Sequence, residues 1–546
     1  MIFLIAMLLA PSFSLWEEHS PTPVNGLSNP YQLSIEDLKA SSKNGRLHAL
    51  NYPVNVTGIL LPYAPVKQVL DADTEHPIRK KIYEVMQGIS KIGSFDEMNA
   101  WLGLHQYPET EDEGPYYIPK REGLIENRMG FSMLERVGAK GFTFSCAACH
   151  TSNVFGKKIM GLTNRFPRAN EFFVKGKSAF KIINKMNFQL LTDSTDEEVR
   201  MLTKTRSNLR FVEAVKPRQL GLDTSLAHVA LSLSHRKKDE YAKKTWGSAN
   251  FPREEPLRKF VADSKPGVWW NVKYKNRWLL DGSLVSGNPI LTGILWNEIG
   301  RGTDLHDLED WFKENNQVIE DLTTAVFSAT PPQITDFFTE DSFDLEKAKL
   351  GQKVFEAAKC NKCHGDYQKA WDMGVKTWPE VLKTTSVKYP EQTLVKDVGT
   401  DPNRWQGMAS LLQLNNLAIS KKNNMLIKQQ EGYVPPPLVG IWVRWPYFHN
   451  NSIPNLCALV SPPEERPVTY YAGEAKDPNV DFDFECNGYP LGNKTPEAWK
   501  TKEYMYDTTR AGMRNTGHYK MFLDEEGNER FSQTEKMALI HFLQTL

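Results

Sequence analysis

An excess of charge of either sign is what this chain most plainly lacks: Lys+Arg and Asp+Glu stand at 66 each in 546 residues, a formal net charge of zero. That balance supplies no whole-molecule field to attract nucleic acid or an anionic membrane surface, and it leaves substrate charge open. Long hydrophobic runs are missing too. The apolar run Ile2 to Ala10 is too short to span a bilayer, and no later segment has the length. No Lys or Arg precedes that run, whereas Ser12 and Ser14 after it have the small-x-small form of a signal-peptidase site. The expectation is a signal peptide or short anchor over residues 1–14 and an exported, periplasmic protein, without a stable membrane span after signal removal. Cysteine is scarce, six residues in all, which excludes a disulfide-dense scaffold.

Four of those six cysteines fall in two short motifs, Cys146-Ala147-Ala148-Cys149-His150 and Cys360-Asn361-Lys362-Cys363-His364. Both read C-x-x-C-H, the c-type haem attachment signature. Two thiols about one helical turn apart can each join a vinyl group of one porphyrin, and the following imidazole then reaches the iron. A structural zinc site would need a second C-x-x-C pair close by, yet more than two hundred residues separate these two. A redox dithiol would not need a trailing His at both sites. The expectation is two covalently bound haem c groups, with His150 and His364 as iron ligands. Cys457 and Cys486 are left over; they can pair in an oxidising compartment, or Cys457, in an apolar run, can stay a buried thiol.

The expected fold is mainly α, with two cytochrome c-like haem domains, long loop-rich extensions and little β-structure. Residues 15–113 read as a covering segment, with helical stretches at Asp73 to Lys91 and Phe95 to Leu104, and with His19, His48, His76 and His105 as surface or satisfied groups. Residues 114–330 form the first haem domain. Here Met129 to Val137 reads as a helix ending at Gly138, Gly141 to Ser145 leads into the first motif, and Asp193 to Ser207 has the acidic first turn of a helix. Asp304 to Asn315 and Gln317 to Ser328 continue in helical patterns, and Thr330-Pro331-Pro332 marks a linker. Residues 331–546 form the second haem domain. Asp344 is its first N-cap, opening a helix with Leu350 and Phe355 inward and Gly351 admitting another helix closely. Ser532 to Glu535 is a capping box for a last helix with Ala538, Leu539, Phe542, Leu543 and Leu546 on one stripe and His541 at the surface.

Around these motifs lie residues that suit a haem. Arg165 and Arg168 follow the first one closely, and a guanidinium fork matches a propionate; a solvated basic loop is the bland alternative. Arg404 and Arg444 are propionate candidates on the same ground, against ordinary ion pairing. Met160 reads as core packing before iron ligation. Trp269, Trp270, Tyr274 and Trp278 are more aromatics than a surface loop carries. Trp269 and Trp270 are the catalytic candidates, as rings that relay electrons or hold a radical between haems; the bland alternative is an apolar wall.

The paired motifs, the Trp269-Trp270-Asn271-Val272-Lys273 stretch, Val398 to Arg404, Pro437 to Trp442, Pro446-Tyr447-Phe448-His449-Asn450 and Gly517-His518-Tyr519 together resemble the c-type dihaem cytochromes related to bacterial rubber oxygenases. That group is similar to bacterial dihaem cytochrome c peroxidases and to the dihaem enzyme of methylamine-dehydrogenase maturation. The resemblance, over about residues 114–546, implies that one haem meets oxygen or peroxide while the other, six-coordinate, stores or passes electrons. It places the reactive haem on Cys146, Cys149 and His150. The haem on Cys360, Cys363 and His364 then needs a second axial ligand, and His518 is favoured over His449. Asn451 stands where relatives often have Gly, which points to a different loop shape.

The leading reading is an oxidoreductase that takes O2 or H2O2 and an unidentified substrate at the first haem, with the second as relay. Alternatives are a peroxidase fed by a small redox protein, which needs a distal group to assist O–O cleavage, and a pure electron carrier.

Overall fold

In the computed structural model, residues 29–110, 112–120 and 128–546 are described, and the expected signal segment 1–14 lies outside them. Helices and short 3-10 turns carry the architecture, and the strands are short and paired in twos and threes, so the chain is mainly α with little sheet.

Helix α1 (Ile35–Leu50) opens at Ser34, whose side chain accepts from Asp37 N. Strand β1 (Leu61–Pro62) comes next, then α2 (Pro77–Ser90), which has proline at N1 and ends on Lys91 in the left-handed region. The helix expected at Met129 to Val137 is instead strand β2 (Phe131–Arg136), paired with β3 (Ala139–Phe144). Val137 at φ +49° and Gly138 at φ +79° are the two left-handed residues of a tight hairpin turn, so the glycine closes a hairpin, not a helix. β1 adds to the β3 edge, and β4 (Thr151–Val154) pairs with β5 (Lys157–Met160) just after the first motif.

Beyond them come α3 (Lys185–Leu191), α4 (Asp196–Leu209), α5 (Ser225–Ser234), α6 (Pro289–Gly300) and α7 (Asn316–Phe327). The acidic start of α4 is a capping box between Thr195 and Glu198. α8 (Leu345–Ala357) starts on Asp344, which accepts from Lys347 N, and α9 (Gln533–Gln544) starts on the Ser532–Glu535 capping box.

Two close helix pairs organise the interior. A Cβ on Gly45 of α1 would come within 1.9 Å of Asp321 O in α7, and Ser41 donates to Asp321 Oδ1 at 2.7 Å. A Cβ on Gly351 of α8 would likewise stand 1.9 Å from Ala538 O in α9. Phe355 is inward as expected, but Leu350 is 38 % exposed; Ala348, Gly351 and Val354 complete the buried face because small residues let the helices touch. His541 is buried beside Glu485 at 3.4 Å, contrary to its expected surface place, since it lies on the face of α9 turned to the 480s loop. One hydrophobic core runs from Ala49 to Leu546. Pro331 and Pro332 are buried in it, held by Lys273 Nζ on Ala329 O at 3.0 Å and Trp442 Nε1 on Pro332 O at 2.9 Å. Cys457 and Cys486 are joined as a disulfide, with their Cα atoms 4.9 Å apart.

Candidate functional site

β3 delivers the chain into a single 3-10 turn, Cys146–Ala148, in which His150 N bonds Cys146 O at 3.1 Å. The turn is stitched to two later segments: Gly161 N donates to His150 O at 2.7 Å, and Trp269 N to Gly161 O at 2.9 Å. Gly161 has φ +95°, and a Cβ there would press within 3.1 Å of the Trp269 side chain, so only glycine admits this contact. His150 faces Gly267 O through Nδ1 at 3.0 Å, which leaves Nε2 as the nitrogen for a metal. Its ring lies 6.2 Å from that of Trp269. Burial lowers the His150 pKa to about 4 and raises the Cys149 thiol to about 12. The imidazole is therefore neutral, with its Nε2 lone pair available to a metal.

The second motif sits at the end of α8, where His364 N bonds Cys360 O at 2.9 Å in one helical turn. Gly365, at φ +88°, ends it, and a side chain there would meet Lys388 O. His364 repeats the arrangement of His150: Nδ1 faces Pro436 O at 2.7 Å, and burial takes its pKa to about 4. Opposite stands His518, with the two ring centroids 6.0 Å apart. Two imidazoles sharing one metal, each with a metal–nitrogen distance of about 2.0 Å, need centroids roughly 6 Å apart. His518 Nδ1 has no hydrogen-bond partner, and burial followed by the neighbouring His364 depresses its pKa to about 3.

Gly517 serves a different approach from the one expected of it. A Cβ there would fall 2.3 Å from Gly399 C, so it lets its loop lie against Val398 and Gly399, where His518 N donates to Val398 O at 2.7 Å. His449 is held elsewhere: its ring stacks on Tyr433 at 4.0 Å and its Nε2 meets the Tyr433 hydroxyl at 2.9 Å. Asn451 has φ +63°, so it takes the left-handed conformation a glycine would, which asparagine tolerates.

The basic residues divide by surroundings. Arg168 pairs with Glu503 and approaches Glu171, an ordinary ion-pair role. Arg165 is no solvated residue: it is buried, donates to Trp445 O at 3.0 Å and Val443 O at 2.9 Å, and lies 4.0 Å over the Trp445 ring. With Lys265 and Arg444 it lines one small cavity of about 10 Å³. Burial lowers the Arg444 pKa to about 10 and that of nearby Lys275 to about 7, with Arg444 adding to the latter. Among the described residues, none of these four cations makes an ion pair with a carboxylate. Desolvated charges of one sign need anions, and the propionate of a bound haem would be such an anion. Lys265, Lys275 and the role of the four as a group are not visible in the sequence, because no local pattern marks residues that converge from distant segments. Arg404 sits in a different cluster, with Nε on Ser264 Oγ at 3.3 Å, a buried unpartnered Nη1, and buried Asp281 within its field. Met160 packs in the core across from Thr151. His105, expected to be a surface or satisfied group, has a buried Nε2 without a hydrogen-bond partner.

Trp270 is fully buried and its Nε1 donates to Val439 O at 3.0 Å. It ties the loop that holds His150 to the extended segment that holds His364.

These donor sets, neutral imidazoles each following two free thiols, define a c-type cytochrome with covalently bound haem. In agreement, residues 432–471 match the family model described as RoxA-like, cytochrome c-like, which supports a RoxA-like c-type cytochrome. The match spans Pro436, the Pro-Tyr-Phe-His loop and Tyr433. An uncharacterized protein of Sinorhizobium fredii, y4iJ, is 36 % identical over 118 residues, a stretch covering 21 % of this chain and 18 % of that protein. Among the described residues no helix is long and apolar enough to cross a membrane.

Proposed function

We propose that the protein is an exported, periplasmic dihaem oxidoreductase that activates O2 or peroxide at the site of Cys146, Cys149 and His150, with the site of Cys360, Cys363, His364 and His518 as electron relay. Haem bound there supplies an iron that changes oxidation state and takes a small oxidant. The observation that carries the reading is the asymmetry of the two histidines. His364 faces a second imidazole at 6.0 Å, whereas the ring contact described for His150 is with Trp269. Two imidazoles at one site would complete the ligation of a bound iron, whereas a site with one imidazole would keep a position for a small oxidant.

The residues of the chain then divide the work. Gly267 and Pro436 carbonyls orient His150 and His364 and fix which nitrogen each presents. Arg165, Lys265, Lys275 and Arg444 would hold the propionates of a bound haem. Trp270 completes a short route between the histidines: His150 to Gly267, three residues along the chain to Trp270, its hydrogen bond to Val439, and three residues back to Pro436 and His364. Trp269, its ring centroid 6.2 Å from that of His150, lies on the stretch between Gly267 and Trp270. Oxygen consumption with a hydrophobic organic substrate, compared with peroxide turnover using a reduced small cytochrome, tests the activity. Turnover in either assay that His150→Ala abolishes supports it; no turnover in both contradicts it.

A further inference from the structure

A buried guanidinium away from the small cavity grips the loop that carries His518. Arg466 is 4 % exposed, and its described hydrogen bonds all end on backbone carbonyl oxygens. Its Nη1 donates to Asn515 O and, at 2.9 Å, to Gly517 O, the carbonyl directly before His518. Its Nε donates to Ser461 O and its Nη2 to Leu459 O, each at 3.2 Å. Those two acceptors close the short helix Leu456–Val460, which Cys457 fastens to Cys486 through the disulfide. Asn515 Nδ2 donates in return to Pro467 O at 3.0 Å, so the two segments are tied in both directions. A planar fork of donors can bridge two loops in this way, and a single ammonium cannot.

Keeping a charge here has a cost, since burial lowers the Arg466 pKa to about 10. What the fork secures in exchange is the place of one ring. The His518 ring stands 6.0 Å from that of His364, and Phe448 stands beside both partners of the tie, 5.8 Å from the Arg466 guanidinium and 6.1 Å from the His518 ring. Other bonds fix the earlier part of the loop: Asn450 donates to Gly512 O at 3.1 Å, Arg514 Nε to Asp401 at 3.2 Å and Thr516 Oγ1 to Gly399 O at 2.9 Å. Among the described residues, Arg466 is the side chain that bonds the carbonyl adjoining His518. We propose that Arg466 is a positioning residue for the second site, its fork holding His518 where the imidazole completes the ligation of an iron bound by His364. This rests on the reading of His518 as the second ligand there.

Absorption and electron paramagnetic resonance of the haem-loaded full-length chain test this, with thermal unfolding alongside. Arg466→Gln should move at least about half of the second haem from low-spin to high-spin. The carbon monoxide response of the first haem should stay as in the parent, and added imidazole should restore the low-spin signal. Arg466→Lys, which keeps the charge without the fork, should fall between the parent and Arg466→Gln, and it carries the test where Arg466→Gln does not fold. A lower melting temperature with the low-spin signal unchanged in both variants would make Arg466 a tie between loops and nothing more, and overturns the proposal. His518→Ala separates the proposal from the reading beneath it. If that chain loses the low-spin signal while the Arg466 variants keep it, the positioning role alone fails; if His518→Ala keeps the signal, both fail.

Discussion

His518 has a left-handed backbone at φ +52°, an amide bonded to Val398 and a ring set squarely before His364. Three constraints on one residue outside regular structure are what a ligand position requires. His518→Ala is expected to turn the second haem from low-spin to high-spin or water-bound, read by absorption and electron paramagnetic resonance; an unchanged low-spin signal would assign the ligand to His449. At the same scale, Glu213 faces His235 Nε2 at 2.8 Å and accepts from Arg258 at 3.0 Å, and these bonds, that of His235 first, hold its carboxyl at about 2. A carboxylate whose folded pKa is depressed stabilises the fold above its unfolded value of about 4.3, and the benefit is lost as pH falls through the folded value. Glu213→Gln should therefore cost about 1–2 kcal/mol at pH 7, allowing for partial exposure, and only a small fraction of that near pH 2. Acid-unfolding curves of the two chains check this, and a loss of equal size at both pH values would contradict it.

Among the elements, the two glycine-mediated helix pairs set the framework that carries the second motif and joins α1 to the main core. Gly351→Ala should destabilise the chain by about 2–4 kcal/mol, because the added methyl meets the backbone of Ala538, which cannot rotate away. Thermal unfolding measures it, and a neutral effect would mean that α8 and α9 do not touch as described. These elements were legible where a local rule decides them: Asp344 and Ser532 announce helix starts because capping chemistry is written within four residues. β2 was not legible, since Met129 to Val137 fits a helical pattern until Gly138 is known to close a hairpin with β3. Nor was the exposed stripe of α2, Ile78, Ile82, Val85 and Met86, because periodicity reports an apolar face without saying whether protein covers it. His541 and Leu350 went astray for the same reason: both depend on which neighbour lies across the helix.

At the scale of the whole molecule, the segments of the two attachment motifs pack on one core, and Trp270 ties the loop that holds His150 to the segment that holds His364. The two motifs could be singled out from their spacing and His518 from the resemblance, and the structure sets His518 opposite His364; the convergence of Arg165, Lys265 and Arg444 could not, since three separate segments build it. If those cations hold the propionates, removing haem leaves them unmatched, and the haem-free chain should unfold at a temperature at least about 10 °C lower than the haem-loaded one; equal melting would contradict that role. The central claim is that two covalent haems differ in access to small molecules. Carbon monoxide titration of the reduced protein, scaled to covalent haem measured as the pyridine haemochrome, tests it most directly. Two haems per chain with the spectrum of one shifting is the predicted result; fewer than two haems, or a shift of neither, would contradict it.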